Sequence, residues 1–230
     1  MEILETKAII TAMKEEAEYI ITNFNLQLKK EFKNIKIYEG TREVSGIKEN
    51  IVLALAGIGK IQAAIATTYI FENYDIIKLV NIGIAGNLKN DDYKIGDVFI
   101  PNTFIQHDMY LPFEGEHLDY AKKAIFLDYA TDKNYDLVKF GLILNGICLT
   151  GDQFIDDAEK VKILGEEYVA DIIEMEAFSI LSVAREYDAL DKCVVIKAIS
   201  DGADNEAKDA HMNNLDYAMQ NSLMVLDLVL

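Results

Sequence analysis

The sequence predicts an α/β fold, a three-layer α/β/α sandwich built around a central mixed β-sheet. Short apolar runs rich in β-branched residues alternate along the chain with stretches of helical periodicity. Several runs, including 78–86 (KLVNIGIAG) and 193–200 (CVVIKAIS), lack the polar alternation of half-exposed strands. Such runs are typical of strands covered by helices on both faces. The 230 residues, of which 51% are hydrophobic, are enough to bury the core of one domain spanning 1–230.

The first half of the chain predicts two strand–helix units around a meander. An apolar run at 7–12 (KAIITA) predicts a strand, and a helix follows from Lys14 to about Phe24. Residues 36–56 alternate apolar and polar side chains around turn formers, which predicts an antiparallel meander. A helix is predicted at 61–74.

The second half predicts mostly buried strands. After the strand at 78–86, one strand is predicted at 98–108 (VFIPNTFIQHD), and another apolar run ends at Gly151. A helix and the stretch EMEAFS (174–179) follow, and EMEAFS is interpreted as the front of a well-buried helix. The last strand, at 193–200, precedes a C-terminal helix.

Charge and hydropathy exclude several classes of partner. The formal net charge of −17 would repel the phosphates of a nucleic acid, and the sequence has no run rich in lysine and arginine. No apolar run reaches the roughly 18 residues that indicate a membrane-spanning helix. The N-terminal residues lack the pattern of a secretory leader. We therefore expect a cytoplasmic protein that binds neither nucleic acid nor membrane.

The cysteines and histidines show no ligand spacing. Cys148 and Cys193 lie among apolar neighbours and outside any C-x-x-C pattern, which favours buried thiols over a disulfide or a metal site. His107, His117 and His211 are far apart and follow no metal-binding motif. We therefore predict no structural metal and no cofactor.

Glycine-rich and acidic motifs follow several predicted strands, where sites of α/β sheets usually lie. AGIGK (56–60) lacks the spacing of a P-loop, and NIGIAGN (81–87) lacks that of a dinucleotide fingerprint, although its glycines would let a ligand approach the backbone. Glu16 can be a helix-start acid that the helix dipole favours, and the same interpretation covers Glu174 and Glu176. Asp201 can cap a turn, and Phe154 can belong to the core. Taken singly, these motifs leave structural and functional interpretations open.

Taken together, the residues of these motifs and their order along the chain resemble those of one family. TAMKEE, AGIGKIQAA, NIGIAGNL, IGDVFIPNTFIQHD, TGDQFI, IIEMEA and VIKAISDGAD occur in sequence over nearly the whole chain. They are similar to the motifs of 5′-methylthioadenosine/S-adenosylhomocysteine nucleosidases, in the purine nucleoside phosphorylase superfamily. The resemblance implies a nucleoside phosphorylase-like fold and a homodimer whose neighbouring subunit completes the site. It also implies hydrolysis of the N-ribosidic bond of 5′-thio-substituted adenosines, with release of adenine.

The resemblance also implies roles for individual residues. Glu16 corresponds to the base that activates water, and Asp201, with Ser200 beside it, to the acid that protonates purine N7. Glu176 corresponds to the acceptor of the ribose hydroxyls, where a charged acceptor makes bonds roughly twice as strong as a neutral one. The remaining implied contacts are Met175 and Glu174 at the sugar, Phe154 and the backbone of Ile155 at the adenine, and Met13 at the 5′ substituent.

The chemistry of the reaction calls for such a set of acids. Cleavage of the C1′–N9 bond leaves an oxocarbenium-like sugar and an adenine anion. The leaving group must therefore be protonated, and the cation must meet an activated water. Asp201 has to keep a proton until the bond breaks, whereas Glu16 has to be ionised in order to act as a base.

Two other functions fit the same scaffold. A nucleoside phosphorylase would hold phosphate with arginines, but Arg42 lies in the meander and Arg185 on a helix, outside any matching motif. A non-catalytic nucleoside-binding protein would be indicated by loss of Glu16 or Asp201, and both are present.

Departures from the family pattern affect water placement and the 5′ pocket. Lys197 stands where an arginine is common in the family, and Ile84 where many members have serine; both positions are implied in placing the water. The stretch 109–126 replaces a more regular segment that borders the 5′ pocket, so 5′-deoxyadenosine and aminofutalosine stay open as substrates beside the two thio-nucleosides. The stretch 207–217, interpreted as a loop, matches poorly, and no pocket residue is predicted from it.

Overall fold

The computed structural model describes residues 5–89, 92–129, 142–204 and 206–230. The strands are β1 (Glu5–Thr11), β2 (Gln27–Glu31), β3 (Lys36–Val44), β4 (Ile47–Leu55), β5 (Asp75–Asn87), β6 (Val98–Ile100), β7 (Thr103–Gln106), β8 (Ile125–Phe126), β9 (Leu142–Leu144), β10 (Ile147–Thr150), β11 (Ile172–Glu174) and β12 (Cys193–Asp201). The α-helices are α1 (Lys14–Asn23), α2 (Lys60–Asn73), α3 (Asp119–Lys122), α4 (Ala158–Tyr168), α5 (Ala177–Glu186) and α6 (Ala207–Val229).

The described strands form one mixed sheet with β5 at its centre. β5 pairs in parallel with β1 on one side and β12 on the other, and its last residues pair antiparallel with β11. β2, β3 and β4 extend the sheet beyond β1, with β3 and β4 as the antiparallel hairpin that the alternation predicted. The predicted mixed sheet is therefore confirmed.

Helices cover both faces of this sheet. In β1, Ala8 and Ile10 face the core under α2 and α5, whereas Ile9 between them faces the core under α1 and α6. Successive side chains of a strand point to opposite faces of the sheet, and here both faces are buried. The central strands are therefore continuous apolar runs in the sequence. The three-layer α/β/α prediction is therefore confirmed.

Two predicted strands are each broken by a bend. The run 98–108 divides into β6 and β7 at Pro101, which lacks the N–H that a continuous ladder would need. The run that ends at Gly151 divides into β9 and β10 at Asn145 and Gly146, whose φ angles are 67° and 128°. Because β6 pairs with β9 and β7 with β10, the two bends lie side by side. Asn145 N–H donates to Ile100 O across them, at 3.1 Å.

Three further predictions need correction. β2 was missed because its residues, QLKKE, are all exposed and carry no apolar signal. EMEAFS does not lie wholly in a helix: Glu174 ends β11, and α5 begins at Ala177. The stretch 207–217 is not a loop, because α6 begins at Ala207.

Cys148 and Cys193 are buried free thiols, as predicted. In the described part of the chain, no helix is long and apolar enough to cross a membrane.

Candidate active site

The predicted site residues surround one pocket where β5 meets the ends of β1, β11 and β12. Met13 follows β1, Glu174 ends β11, and Asp201 ends β12. Every predicted residue except Lys197 lines this pocket: Met13, Glu16, Ile84, Phe154, Ile155, Glu174, Met175, Glu176, Ser200 and Asp201. Lys197 lies behind the wall, where it contacts two of the carboxylates. The structure therefore brings together residues that are separated by up to 188 positions in the sequence, from Met13 to Asp201.

Glu16 is buried although it lies in the first turn of α1. Its side chain is 2% exposed, and its Oε2 accepts the N–H groups of Met13 at 2.9 Å and Ala12 at 3.0 Å. Burial raises the pKa of Glu16, while Lys197 and the N–H groups of Met13, Ala12 and Ile84 oppose this rise. One oxygen therefore caps the helix start, as the structural interpretation expects. The raised pKa makes the carboxyl a stronger base than an exposed glutamate, and the catalytic role of Glu16 stays a prediction.

The glycines of NIGIAGN make room for acidic side chains. A Cβ at Gly83 would lie 2.8 Å from Glu16 Oε1 and 3.5 Å from Lys197 Nζ. A Cβ at Gly86 would lie 3.1 Å from Asp201 Oδ1. The sequence suggested that these glycines let a ligand approach; at Gly83, the carboxylate of the protein itself occupies that space. Any larger residue at Gly83 would have to displace Glu16.

Glu174 fixes the start of α5. Its carboxylate accepts the N–H of Glu176 at 3.0 Å, the N–H of Ala177 at 2.9 Å, and the hydroxyl of Thr150. Lys197 Nζ lies 2.8 Å from Glu174 Oε2, and both side chains are almost fully buried. The oxygens of Glu174 are thus engaged by the protein, which gives the first glutamate of EMEA a structural role.

Glu176 has a more available carboxylate. Its Oε1 accepts the N–H of Gly59 at 2.9 Å, and its Oε2 lies 3.7 Å from Lys197 Nζ. Burial raises the pKa of Glu176 to about 7, and Lys197 limits the rise while Glu174 adds to it. Burial lowers the pKa of Lys197, but the surrounding carboxylates, Glu174 first, more than offset this and raise it above its usual value. A single buried cation therefore serves Glu16, Glu174 and Glu176.

Asp201, the last residue of β12, also lines the pocket. It is 3% exposed; its Oδ2 accepts the hydroxyl of Ser200 at 2.7 Å, and its Oδ1 accepts the N–H of Ala203 at 2.8 Å. Phe154 is 45% exposed, as a ring available for stacking would be, and Ile155 beside it is buried. The arrangement offers an apolar surface next to a buried carboxyl, which suits a flat heterocycle with polar edges.

The sequence interpretation missed His211. This residue of α6 lines the pocket, with Nδ1 3.6 Å from Asp201 Oδ2 and its ring edge-on to Phe154 at a centroid distance of 5.6 Å. A signal was present: Ala207 and Leu215, four residues to either side, are buried on the same face of α6. Had the stretch been interpreted as a helix, that spacing would have directed position 211 inward. Ala12, Ile58, Ala85, Gly86, Gln153, Ile173 and Ala203 also line the pocket without having been predicted as site residues.

Comparisons with known proteins find relatives over nearly the whole chain. The family model described as Phosphorylase superfamily matches residues 6–230. A 5′-methylthioadenosine/S-adenosylhomocysteine nucleosidase of Buchnera aphidicola is 30% identical over 91% of this chain and 90% of its own. An aminodeoxyfutalosine nucleosidase of Helicobacter pylori is 28% identical over 95% of this chain and 94% of its own.

A solved structure gives the same result for the fold. The 5′-methylthioadenosine/S-adenosylhomocysteine nucleosidase of Neisseria meningitidis, in complex with methylthio-immucillin-A, superimposes with a TM-score of 0.82. The alignment covers 98% of each chain at 27% identity. The family match over residues 6–230 and the 30% identity over nine-tenths of the chain decide the assignment. The protein belongs to the 5′-methylthioadenosine/S-adenosylhomocysteine nucleosidase family of the phosphorylase superfamily.

Proposed function

We propose that this protein, as a single domain, hydrolyses the N-ribosidic bond of 5′-methylthioadenosine and S-adenosylhomocysteine. The products are adenine and the 5-thio-substituted ribose. The observation that carries the proposal is that three buried carboxyls, those of Glu16, Glu176 and Asp201, line one pocket. Water activation and protonation of the leaving group need two such acids in different environments.

Each acid has a distinct task in this proposal. Glu16 takes a proton from the attacking water, and its raised pKa suits a base that must accept one. Asp201 donates a proton to N7 of the adenine. The adenine stacks on Phe154, and the backbone of Ile155 forms hydrogen bonds with its edge. Glu176 accepts the ribose hydroxyls, Met175 packs on the sugar, and Lys197 holds the carboxylates in place.

The pocket lacks the groups that a phosphorylase needs. Arg42 pairs with Glu49 at 2.7 Å on the meander, and Arg185 lies in the last turn of α5, so neither guanidinium lines the pocket. None of the described residues lining the pocket is a lysine either. Glu16 and Glu176 would repel a phosphate ion. These features favour water as the nucleophile over phosphate.

We also propose a homodimer whose second subunit completes the 5′ end of the pocket. Ile61 and Ile65 lie one turn apart on the outer face of α2, and Ile58 lies just before this helix. All three are exposed, and Ile58 also lines the pocket. Such a stripe, beside a binding site, is a surface that a second copy would cover. None of the described residues of 109–126 lines the pocket of its own chain, which fits a role for that segment across the interface.

The 5′ substituent is the least constrained part of the proposal. Relatives of nearly equal similarity include the Helicobacter pylori aminodeoxyfutalosine nucleosidase. The groups that bind the adenine and the ribose would bind thio-nucleosides and aminodeoxyfutalosine alike, because these substrates have the same nucleoside core. Methylthioadenosine, S-adenosylhomocysteine and aminodeoxyfutalosine should therefore be compared directly by kcat/KM.

The proposal is tested by incubation with methylthioadenosine in the presence and absence of phosphate. We expect adenine to be released at the same rate in both, with free 5-methylthioribose as the sugar product. Formation of the sugar 1-phosphate, or dependence of the rate on phosphate, would replace hydrolysis by phosphorolysis. Binding without any adenine release would instead support a nucleoside-binding protein.

A further inference from the structure

Repeated turnover requires that Glu16 and Asp201 return to their starting protonation states after each reaction, and the two acids alone do not provide a route for this. Each hydrolysis leaves Asp201 without a proton and Glu16 with one. Before the next turnover, Asp201 has to gain a proton and Glu16 has to lose one. Asp201 is 3% exposed, so direct access of solvent to its carboxylate is restricted.

The contacts of Asp201 narrow the choice of proton donor. Ser200 Oγ and Ala203 N–H donate hydrogen bonds to it, but neither group gives up a proton near neutral pH. Among the described residues, His211 is the basic side chain within 4.0 Å, with Nδ1 3.6 Å from Asp201 Oδ2. Its side chain is 20% exposed, so the ring reaches both the buried acid and the solvent.

We propose that His211 is the proton relay that resets Asp201 between turnovers, an inference that rests on the proposed nucleosidase function. The imidazolium transfers its Nδ1 proton to Asp201 Oδ2, which restores the carboxylic acid and leaves neutral imidazole. The imidazole then takes a proton from solvent, and Glu16 releases its proton to solvent. Protons therefore balance over one cycle, and His211 acts on the substrate only through Asp201.

The surroundings of His211 suit this task. Asp201 faces it from β12, and Phe154 contacts it edge-on from the loop after β10, which holds the ring in place. Lys208, three residues earlier on α6, is the charged residue one turn away. An imidazole ring can bind one proton and release it again, so a histidine can pass a proton on in each cycle.

The test separates the first turnover from later ones. His211→Gln keeps a polar side chain of similar reach but cannot carry a proton. Met212→Gln, at the next position of α6, where the side chain is 71% exposed, is the matched control. Rapid mixing with methylthioadenosine should give a first turnover in His211→Gln at close to the wild-type rate. The following steady state should be slower by about 10²-fold, the lower range of what a positioned acid–base group contributes.

A second variant tests the same step by chemical rescue. His211→Ala removes the ring, and added imidazole should restore kcat in a concentration-dependent way while leaving the first turnover unchanged. Melting temperatures close to wild type would show that both variants fold.

Three results would overturn the relay. Either kcat in His211→Gln stays within twofold of wild type, or the first turnover is slowed as much as the steady state, or imidazole has no effect on His211→Ala. If the wild-type protein releases no adenine, the nucleosidase function fails, and the relay fails with it. Normal wild-type turnover with an unaffected variant overturns the relay alone.

Discussion

Replacement of Lys197 by methionine should destabilise the protein in a pH-dependent way. Methionine fills a similar volume and is apolar, so the change removes the charge without leaving a large cavity. Lys197 is fully buried and its Nζ lies 2.8 Å from Glu174 Oε2 and 3.7 Å from Glu176 Oε2. Without Lys197, the buried carboxyls of Glu16, Glu174 and Glu176 would lose the cation that they share.

The size of the effect follows from the burial of the pair. Removing one partner of a buried ion pair typically costs about 3–5 kcal/mol of unfolding free energy, because the remaining charge is left uncompensated. For a chain of this length, about 2–4 °C of melting temperature corresponds to each kcal/mol, which gives a decrease of about 6–20 °C. The decrease should be largest above pH 7.

The pH dependence has a definite sign. Lys197 lowers the pKa values of Glu16 and Glu176, so its loss raises both further above their usual range. At pH 5 the carboxyl of Glu176, whose pKa is already about 7 in the wild type, would then be neutral in the folded variant, and the missing cation would matter less. The difference in melting temperature between wild type and Lys197→Met should therefore narrow as the pH falls from 8 to 5.

The assay is thermal unfolding of both proteins at pH 5, 6.5 and 8. Lys14→Met is the matched control, because Lys14 also pairs with a glutamate, Glu18 at 2.9 Å, but both side chains are largely exposed. The control should melt close to wild type at every pH. Two results would refute this account of Lys197 and its carboxylates. One is a Lys197→Met protein that melts within 2 °C of wild type at pH 8, a limit that corresponds to about 1 kcal/mol. The other is a decrease in melting temperature that is the same at pH 5 and at pH 8.

Further predictions address the other acids and the surface. Glu16→Gln should keep its fold and its affinity for methylthioadenosine but lose about 10²–10⁴ in turnover, measured as adenine release; turnover within tenfold of wild type would remove Glu16 from the mechanism. Asp201 should favour 6-amino over 6-oxo purines by about 10⁴ in kcat/KM, because a 6-oxo group leaves buried polar groups unpaired, and comparable cleavage of 5′-methylthioinosine would contradict its role. The pKa of Glu176 is raised from 4.5 to about 7, so its stabilising contribution is complete below 4.5 and is lost as the pH rises through 7; Glu176→Gln should flatten the fall in melting temperature between pH 5 and 8. The double variant Ile61→Glu, Ile65→Glu should sediment as a monomer, and a species of wild-type mass would exclude the α2 stripe as the dimer interface.

The sequence predicted the architecture well because its signals are strong in the central strands. Runs such as 78–86 are apolar without interruption, and only a strand with two covered faces needs that composition. The two bends were missed because Pro101, Asn145 and Gly146 were each interpreted as lying within a continuous strand. The pairing of β6 with β9 and of β7 with β10, which places the bends side by side, joins segments that are far apart in the sequence.

The candidate site was predicted by resemblance more than by residue chemistry. Local reasoning left Glu16 divided between a helix-start acid and a base. In the structure Glu16 accepts N–H groups at the helix start and also lines the pocket, so its role as a base stays a prediction. The sequence also could not separate Glu174 from Glu176, since the distinction depends on Thr150 and Lys197, which lie far away along the chain. His211 was missed because 207–217, the first half of α6, was interpreted as a loop before the C-terminal helix.

The central position of β5 has a consequence for how the protein folds. Parallel pairing of β5 with β12 joins residues more than a hundred positions apart, and β1 has to add on the other side. Such non-local contacts form slowly, because a long loop has to close before the pairing stabilises it. Helices and the β3–β4 hairpin can form earlier, from neighbouring residues. During refolding from denaturant, we therefore expect far-ultraviolet circular dichroism to recover before adenine release, which makes catalysis a reporter of the last pairing event in the sheet.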